Sequence, residues 1–210
     1  VETSEKGLKQ LFHKIKNVLI GGAAIDPKLE IGLLNANTKC RFYHSYATTE
    51  TLTHVAMKKL TGSDADNHFH ALPGIKFEQD VRGCLVILAP WLSEKKIATN
   101  DLVELIDENT FDFKGRFDNL INSGGIKISP EQVESKLSDL IKNRFIIAGF
   151  PDEALGEKVV LIVEGKPQSG NEIQKVIDSA NLGRHEIPRE VHFMYHFPQT
   201  ESGKVIRKQI

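Results

Sequence analysis

The sequence predicts a fold in two parts, an α/β region followed by a small α+β domain, from three observations. Residues 17–45 show the order strand, loop, helix, strand, which is typical of a βαβ unit. Residues 72–105 contain short β-like runs, which indicate a small strand-rich subdomain. Residues 119–210 show the order strand, helix, strand, strand, helix, strand, which predicts an α+β domain. A chain of 210 residues is long enough for both parts to bury a core.

The βαβ unit follows an amphipathic segment at residues 5–16, where apolar residues recur at helical spacing. The apolar run at residues 17–20 predicts a short buried strand that ends at two glycines. Asp26 and Pro27 then form a typical helix start, and residues 41–45 predict the next strand. Functional residues are expected just after each strand, because ligands of such units bind at the carboxyl ends of the strands.

The boundary between the two parts follows a polar, turn-like stretch at residues 107–114. We therefore predict that residues 1–114 form the first part, residues 115–118 a hinge and residues 119–210 the small domain. In the small domain, capping-box patterns at residues 129–132 and 169–172 predict two helices, to about residues 140 and 181. The strands predicted there are residues 144–150, 158–163 and 191–195, and the last leads to the loop that carries Lys204.

The composition excludes several functional classes. The formal net charge of -1 leaves no basic excess for binding a nucleic-acid backbone. The apolar runs are far too short to span a bilayer, and the amino-terminal residues lack the apolar core of a secretory signal. Cys40 and Cys84 are too few for a disulfide or metal framework and are predicted to be buried in a reducing compartment. The sequence thus predicts a soluble cytoplasmic protein.

Three short segments carry groups suited to nucleotide chemistry. Residues 21–24 (Gly-Gly-Ala-Ala) let a flat ring approach the backbone, although taken alone they favour a tight strand-to-helix turn. Residues 46–50 (Tyr-Ala-Thr-Thr-Glu) offer an aromatic face, two hydroxyls and a carboxylate, or alternatively a helix start with a Thr cap. Residues 202–204 (Ser-Gly-Lys) place a mobile cation behind a turn, or form an ordinary solvated loop.

Five segments in a fixed order resemble the adenylate-forming acyl- and aryl-CoA synthetases, the AMP-binding family. This family activates a carboxylate with ATP and then transfers the acyl group to CoA. The resemblance implies ATP, Mg²⁺ and CoA as co-substrates or cofactors, with an aromatic or other small carboxylic acid as substrate. The five segments are residues 21–24, 46–50, 98–103, 115–134 and 201–210.

The resemblance implies roles for residues of the first part. Gly22 and Ala23 would flank adenine, Tyr46 would stack on it, Thr49 would contact phosphate, and Glu50 would help to hold Mg²⁺.

The ribose would be bound by two further residues. Asp101 matches the carboxylate that takes both ribose hydroxyls, and Arg116 matches an arginine that contacts ribose and phosphate. Ala47 and Asn100 stand where the family usually has Gly, which matters only where that backbone needs a positive φ.

The resemblance also implies a moving lid. Asp118 would be the hinge, and Gly124 and Gly125 would lie on a loop that faces the large domain during thioester formation; otherwise the two glycines form a hairpin turn. Lys204 would bridge the carboxylate and the α-phosphate during adenylation and would leave with the lid, so that CoA can enter.

The match covers almost the whole chain but only part of the family. Complete members first carry a large region with a Ser/Thr/Gly-rich phosphate loop ending in Pro-Lys, which nothing before Gly21 resembles. The resemblance thus implies the C-terminal half of an enzyme, excised or natural, that is inactive without its N-terminal half. Residues 98–101 and 118–125, together with the short loops, are most similar to the o-succinylbenzoate–CoA ligase branch of the menaquinone pathway. An adenylation domain that loads a carrier protein, or a non-catalytic nucleotide-binding module, are the alternatives.

Overall fold

The chain divides into two compact units, Val1–Phe113 and Lys114–Ile210, in a computed structural model. Each unit contains a buried apolar cluster of its own. The predicted mixed α/β class is confirmed. In the residues that the structure describes, each unit is built on a β-sheet, and a small number of helices accompany the sheets. The structure describes residues 15–22, 25, 32–33, 39–167, 170–201 and 203–210.

The first unit contains most of an eight-stranded sheet with the strand order β1-β2-β3-β4-β8-β7-β6-β5. Strands from the predicted strand-rich region form one end of this sheet. The last residues of β8 lead into the second unit. The strands are β1 (Asn17–Ile20), β2 (Arg41–Ala47), β3 (His54–Lys59), β4 (Phe69–Ala71), β5 (Lys76–Gln79), β6 (Cys84–Leu88), β7 (Ile97–Asp107) and β8 (Thr110–Arg116).

Strands β1 and β2 pair in parallel, as the predicted βαβ unit requires. Their register places Ile20 opposite His44, so both strands end at the same edge of the sheet. The predicted helix start at Asp26 and Pro27 lies outside the described residues, and residues 32–33 are helical. The described geometry therefore places the segments after β1 and β2 at one edge, where the sequence predicted function.

Aromatic rings form the centre of the first core. Phe69 and Phe111 stack with their ring centroids 5.3 Å apart, and Phe77 meets Phe111 edge-on at 5.0 Å. Tyr46 joins the same cluster, edge-on to Phe111 at 5.2 Å. Offset and edge-on pairs of this kind add to the burial energy of each ring.

The second unit consists of a five-stranded sheet and two helices. Strand β12 is central: it pairs antiparallel with β11 along its whole length and parallel with β13, and Gly156 pairs with Ser123 of β9. The elements are β9 (Ile121–Ser123), β10 (Ile126–Ile128), α1 (Pro130–Leu137), β11 (Phe145–Asp152), β12 (Gly156–Glu164), α2 (Gly170–Ser179) and β13 (Glu190–Met194).

Helix α1 begins at Pro130, as predicted, but the predicted capping box is wrong. The N-cap Ser129 makes no side-chain bond to the helix backbone. Its hydroxyl instead donates to the Lys114 carbonyl at 2.8 Å and lies 3.1 Å from a Glu131 carboxylate oxygen. The long-range acceptor thus replaces the local cap, and the helix ends at Leu137 rather than near residue 140. The second predicted box includes Ser169, which lies outside the described residues.

Two smaller predictions concern burial and membranes. Cys40 and Cys84 are both buried, as predicted. In the parts of the chain that the structure describes, no helix is long and apolar enough to cross a membrane.

Candidate functional site

The turn after β1 has an open backbone on one side. Gly22 has φ +91° and a Cβ placed there would meet nothing within 4 Å. Gly21 is tightly packed, because a Cβ there would overlap the Ser45 hydroxyl, which itself donates to the Ile20 carbonyl at 3.3 Å. Ala23 lies outside the described residues. Among the described residues, no atom therefore obstructs this side of the Gly22 backbone, as close approach by a flat ring requires.

The segment after β2 forms a short 3₁₀ turn, Thr49–Thr51, that presents Thr49 and Glu50 on the surface. The fully buried Thr51 holds this turn: its hydroxyl accepts from the Thr48 amide at 3.0 Å and lies 2.8 Å from the Thr53 carbonyl. The Thr48 hydroxyl is buried and has no hydrogen-bond partner in the described structure. The sequence offered Thr48 as one of the two hydroxyls of residues 46–50 or as a Thr cap, and it is the N-cap residue of the 3₁₀ turn. That its hydroxyl is buried and unsatisfied is evident only from the tertiary structure.

Tyr46 and Asp101 are predicted to bind the same nucleoside, and the structure brings them into direct contact. The Tyr46 hydroxyl donates to Asp101 Oδ2 in a buried hydrogen bond. The Tyr46 ring is only 9% exposed and packs edge-on against Phe69 and Phe111. Stacking on adenine stays a prediction, and it requires this ring to offer one face to the ligand.

Asp101 is also ordered by its own strand. Its amide donates to the Thr99 hydroxyl at 3.1 Å, and that hydroxyl donates to the Leu85 carbonyl at 2.8 Å. Asn100, which replaces the family's usual Gly, accepts at its side-chain oxygen from Arg82 at 2.9 Å. The extra side chain is thus engaged by Arg82 at the sheet surface, and its φ is not positive.

The exposed Glu50 carboxylate suits the predicted Mg²⁺ role. Mg²⁺ is commonly bound through one or two carboxylates together with substrate phosphates, and Glu50 directly follows Thr49, the exposed residue predicted to contact phosphate. Among the described residues, no group of three or more His, Cys, Asp and Glu side chains is placed to hold a metal ion.

The predicted ribose arginine and hinge residue contact each other at the start of the second unit. Arg116 donates to Asp118 Oδ2 at 2.7 Å, and both side chains are about two-fifths exposed. Gly115 precedes them with φ +133°, and a Cβ there would lie 2.6 Å from Glu131 Oε2 and overlap the Ser129 hydroxyl. A side chain at position 115 therefore conflicts with both the backbone and its neighbours.

Gly124 and Gly125 form the two-residue turn between β9 and β10. Their φ values are +62° and +83°, which match the left-handed turn that two-residue hairpins favour. The Gly124 amide donates to the Leu155 carbonyl at 2.8 Å, whereas a Cβ on Gly125 would meet nothing within 4 Å. The hairpin alternative is thus correct for the local structure, and a role in the CoA step stays a prediction.

Lys204 lies on a closed hairpin with an exposed side chain. Gln199 and Val205 form an antiparallel bridge, and the Thr200 amide donates to the Lys204 carbonyl at 2.8 Å. Gly203 has φ +81°, and its amide donates to the Thr200 carbonyl at 2.9 Å. The hairpin fixes the lysine backbone, while the side chain extends into solvent.

The structure also reveals a partly buried ion pair that sequence analysis did not single out. Glu134 of α1 accepts from Arg207 at both carboxylate oxygens, at 2.8 and 2.7 Å. Burial raises the pKa of Glu134 above its usual range, against the attraction of Arg207. The available sequence signal was periodicity, because residue 134 shares the helical face of the buried Pro130 and Leu137.

Curated relatives match about half of the chain, whereas no family model matches it. A vibriobactin-specific 2,3-dihydroxybenzoate-AMP ligase from Vibrio cholerae is 36% identical over 112 residues, 51% of this chain and 20% of the relative. An acetyl-coenzyme A synthetase from Bacillus subtilis is 32% identical over 117 residues, 52% of this chain and 20% of the relative. The aligned stretch is therefore about a fifth of each of these relatives.

Solved structures share the fold over nearly the whole chain. An o-succinylbenzoate CoA synthetase from Bacillus subtilis, in complex with its acyl-adenylate intermediate, has a TM-score of 0.78 and 20% identity, covering 98% of this chain and 48% of that one. The same enzyme in complex with ATP and magnesium ion has a TM-score of 0.77 and 20% identity, and the match covers 99% of this chain and 50% of that one. The chain thus spans about half of these structures. The homologues and structural neighbours of this protein are AMP-forming acyl- and aryl-acid ligases.

Proposed function

We propose that this chain is the C-terminal part of an ATP-dependent acid–thiol ligase. The enzyme would adenylate a carboxylic acid and then form a thioester with CoA. The observation that carries the proposal is the similarity of half the chain, at 31–36% identity for three relatives, to AMP-forming ligases. The phosphate-loop half would come from a preceding region, and the chain alone would be inactive.

Lys204 is the proposed catalytic residue for adenylation. A carboxylate oxygen attacks the α-phosphate of ATP, forming a bond to phosphorus as pyrophosphate leaves. Two negatively charged groups must approach each other, and a lysine cation can neutralise both. The closed hairpin and exposed side chain of Lys204 support this role, because they combine a fixed backbone with reach.

The nucleoside is proposed to bind at the edge of the first sheet. Gly22 and Ala23 would flank adenine with Tyr46 stacking on it, and Asp101 would accept the ribose hydroxyls. The hydrogen bond from Tyr46 to Asp101 supports a shared site, because it joins two residues that are 55 positions apart. Arg116, at the end of β8, would add a contact to ribose and phosphate.

The phosphates are proposed to lie against the turn after β2. The exposed Thr49 hydroxyl would donate to phosphate, and Glu50 would help to hold Mg²⁺. When bound, Mg²⁺ would neutralise developing charge on the phosphate oxygens.

Thioester formation would need a second arrangement of the small domain. We propose Asp118 as the hinge and the Gly124–Gly125 turn as the loop used in the CoA step. Rotation would withdraw Lys204 so that the CoA thiol can attack the acyl carbonyl, releasing AMP. The open backbone at Gly125 supports the second role, because no side chain there would obstruct a partner surface.

The acid is proposed to be aromatic, with o-succinylbenzoate as the first candidate. This proposal rests on the likeness of residues 118–125 to that branch, and it would place the enzyme in menaquinone biosynthesis. A cytoplasmic location belongs to the same proposal and is supported by the two buried cysteines, which suit a reducing compartment.

The test is acid-dependent ATP–pyrophosphate exchange by the complete enzyme, with o-succinylbenzoate and 2,3-dihydroxybenzoate compared. Lys204→Ala should slow adenylation by about 10²–10³-fold, because removing one preorganised electrostatic contact typically has that effect. Thioester formation from supplied acyl-adenylate should change little. The matched control is Lys208→Ala, an exposed lysine of the same segment, which should leave both steps intact. Equal losses in both steps for Lys204→Ala would reject its assignment.

A second candidate is an adenylation domain whose acceptor thiol belongs to a carrier protein. Two relatives are 2,3-dihydroxybenzoate-AMP ligases, and their names include no CoA. Offering free CoA and a phosphopantetheine-bearing carrier protein to the same acyl-adenylate would separate the two candidates by which acceptor is acylated.

A further inference from the structure

The backbone that precedes Lys204 is held by Arg144, which lies directly before strand β11. Arg144 donates to the Gly203 carbonyl at 2.7 Å, one residue before Lys204. Its guanidinium also lies 6.0 Å from the centroid of the Phe197 ring, which is 4% exposed within a buried cluster. Arg144 thus connects the hairpin to the core of the small domain.

The backbone that follows Lys204 is held by a second arginine. Arg207 contacts both carboxylate oxygens of Glu134 and donates to the Ile147 carbonyl at 2.8 Å. Glu134 also accepts from the Ile147 amide at 2.6 Å. One carboxylate therefore joins helix α1, strand β11 and the C-terminal segment.

The energetics of this pair indicate that stability alone does not explain it. Taking a carboxylate and a guanidinium out of water has a desolvation cost that often cancels their attraction. The Glu134 and Arg207 side chains are only 19% and 25% exposed. What the pair does provide is a single geometry, because Arg207 Nη2 donates to both Glu134 oxygens while Nη1 donates to the Ile147 carbonyl, and these contacts together fix the guanidinium plane.

We propose that Arg144, Arg207 and Glu134 are positioning residues that fix the hairpin on both sides of Lys204. This inference rests on the proposed function of Lys204. The two arginines hold residues 203 and 207 while leaving the lysine side chain exposed. A displacement of about 1 Å in a catalytic group can slow a reaction about 100-fold, so loose anchors would impair adenylation.

Two variants separate positioning from folding. Arg144→Gln removes an exposed contact, and Arg207→Lys keeps a positive charge against Glu134 while losing the planar fork. The matched control is Lys136→Gln, which breaks an exposed ion pair from the same helix α1 to Glu186 and lies outside both anchors.

The first measurement is amide hydrogen exchange in the 210-residue chain, which needs no activity. Both variants should speed exchange at Thr200 and Gly203 about 10-fold or more, because these amides close the hairpin. Exchange at the core residues Val160 and Leu161 should stay unchanged, as should all four sites in the control. Unchanged hairpin exchange, or equal acceleration in the core, would overturn the inference.

The second measurement is adenylation by the complete enzyme. Both variants should lower kcat about 10–100-fold with KM for ATP unchanged, since the effect falls on transition-state geometry. Normal kcat in both, alongside an impaired Lys204→Ala enzyme, would overturn positioning and leave the proposed function standing. Normal adenylation by the Lys204→Ala enzyme would instead contradict the proposed function of Lys204. Arg144, Arg207 and Glu134 would then have no catalytic residue to position.

Discussion

At the scale of single residues, Asp101 has one of its carboxylate oxygens engaged by a buried partner before any ligand arrives. The Tyr46 hydroxyl donates to Asp101 Oδ2. The backbone amide of Asp101 also donates to the Thr99 hydroxyl, which further orders Asp101. A carboxylate has several lone-pair positions, so one hydrogen bond does not by itself exclude the proposed role of Asp101 toward ribose hydroxyls. Tyr46 thus orients Asp101 through this hydrogen bond, in addition to its proposed contact with the base.

Asp66 shows how neighbouring side chains alter a carboxyl group. His70 Nε2 lies 2.6 Å from one carboxylate oxygen and His68 Nδ1 lies 2.7 Å from the other. Hydrogen bonding from His70, followed by that from His68, lowers the pKa of Asp66 from 3.8 to about 2.

We expect the Asp66 carboxyl to titrate at about pH 2 in carbon-13 NMR spectra of the chain. His70→Ala should raise this midpoint toward 3.8, whereas the exposed His185→Ala should leave it unchanged. A wild-type midpoint near 3.8 would contradict the described contacts. Because the folded pKa is depressed, the associated stabilisation is present above about pH 4 and is lost as the pH falls through about 2.

At the scale of elements, the connection from β8 to α1 is fixed by close packing. The Lys114 carbonyl accepts from the Ser129 hydroxyl at 2.8 Å and from the Gln132 side chain at 3.2 Å. Gly115 allows this approach, because any Cβ would meet Ser129 and Glu131.

Replacing Gly115 by Ala should therefore destabilise the second unit by about 1–3 kcal/mol, since φ +133° is strained for any residue with a Cβ. Urea unfolding followed by circular dichroism measures this loss. Gly183→Ala is the matched control: its φ lies outside the positive range, and the nearest atoms belong to the Glu186 side chain. We expect the control to stay within about 1 kcal/mol of the wild type. Equal stabilities for the two variants would contradict the packing at Gly115.

At the scale of the whole molecule, the second unit has the composition of an independent folding domain. Its core contains Ile147, Leu161 and Val163 from two paired strands, and Val133 and Leu137 from helix α1. All five side chains are fully buried or nearly so. A core of this kind needs no residue from the first unit.

We expect residues 114–210 to fold alone, with slow amide exchange at Leu161 and Val163. Residues 119–210, which begin at the boundary predicted from sequence, should also fold but with a free energy of unfolding lower by about 1–2 kcal/mol. The reason is that the shorter chain lacks the Lys114 carbonyl and its two hydrogen bonds, each typically contributing about 1 kcal/mol. Unprotected amides in the longer chain would refute an independent domain, and equal stabilities would refute the contribution of residues 114–118.

The sequence by itself determined the approximate positions of several elements. It did not predict β3 or β4, and the stretch at residues 107–114, predicted to be polar and turn-like, instead forms most of strand β8 because it pairs within the sheet. Sequence patterns did predict four features: the strands near residues 17–20 and 41–47, the helix start at Pro130 and the turn at Gly124–Gly125. These features depend on local chemistry: alternating burial, a fixed φ in Pro and left-handed turns that favour Gly. Lys204 could also be identified as a candidate catalytic residue from sequence, because the Ser-Gly-Lys motif that marks it is contiguous.

Only the tertiary structure decided which distant residues meet. The contact between Tyr46 and Asp101 joins positions 55 apart, and the one between Glu134 and Arg207 joins positions 73 apart. The Ser129 hydroxyl likewise donates to the Lys114 carbonyl, 15 residues away, instead of making the predicted helix cap. Such pairings depend on which distant elements pack against each other, and no short stretch of sequence specifies that. The sequence therefore identified the chemical groups, whereas the fold selected their partners.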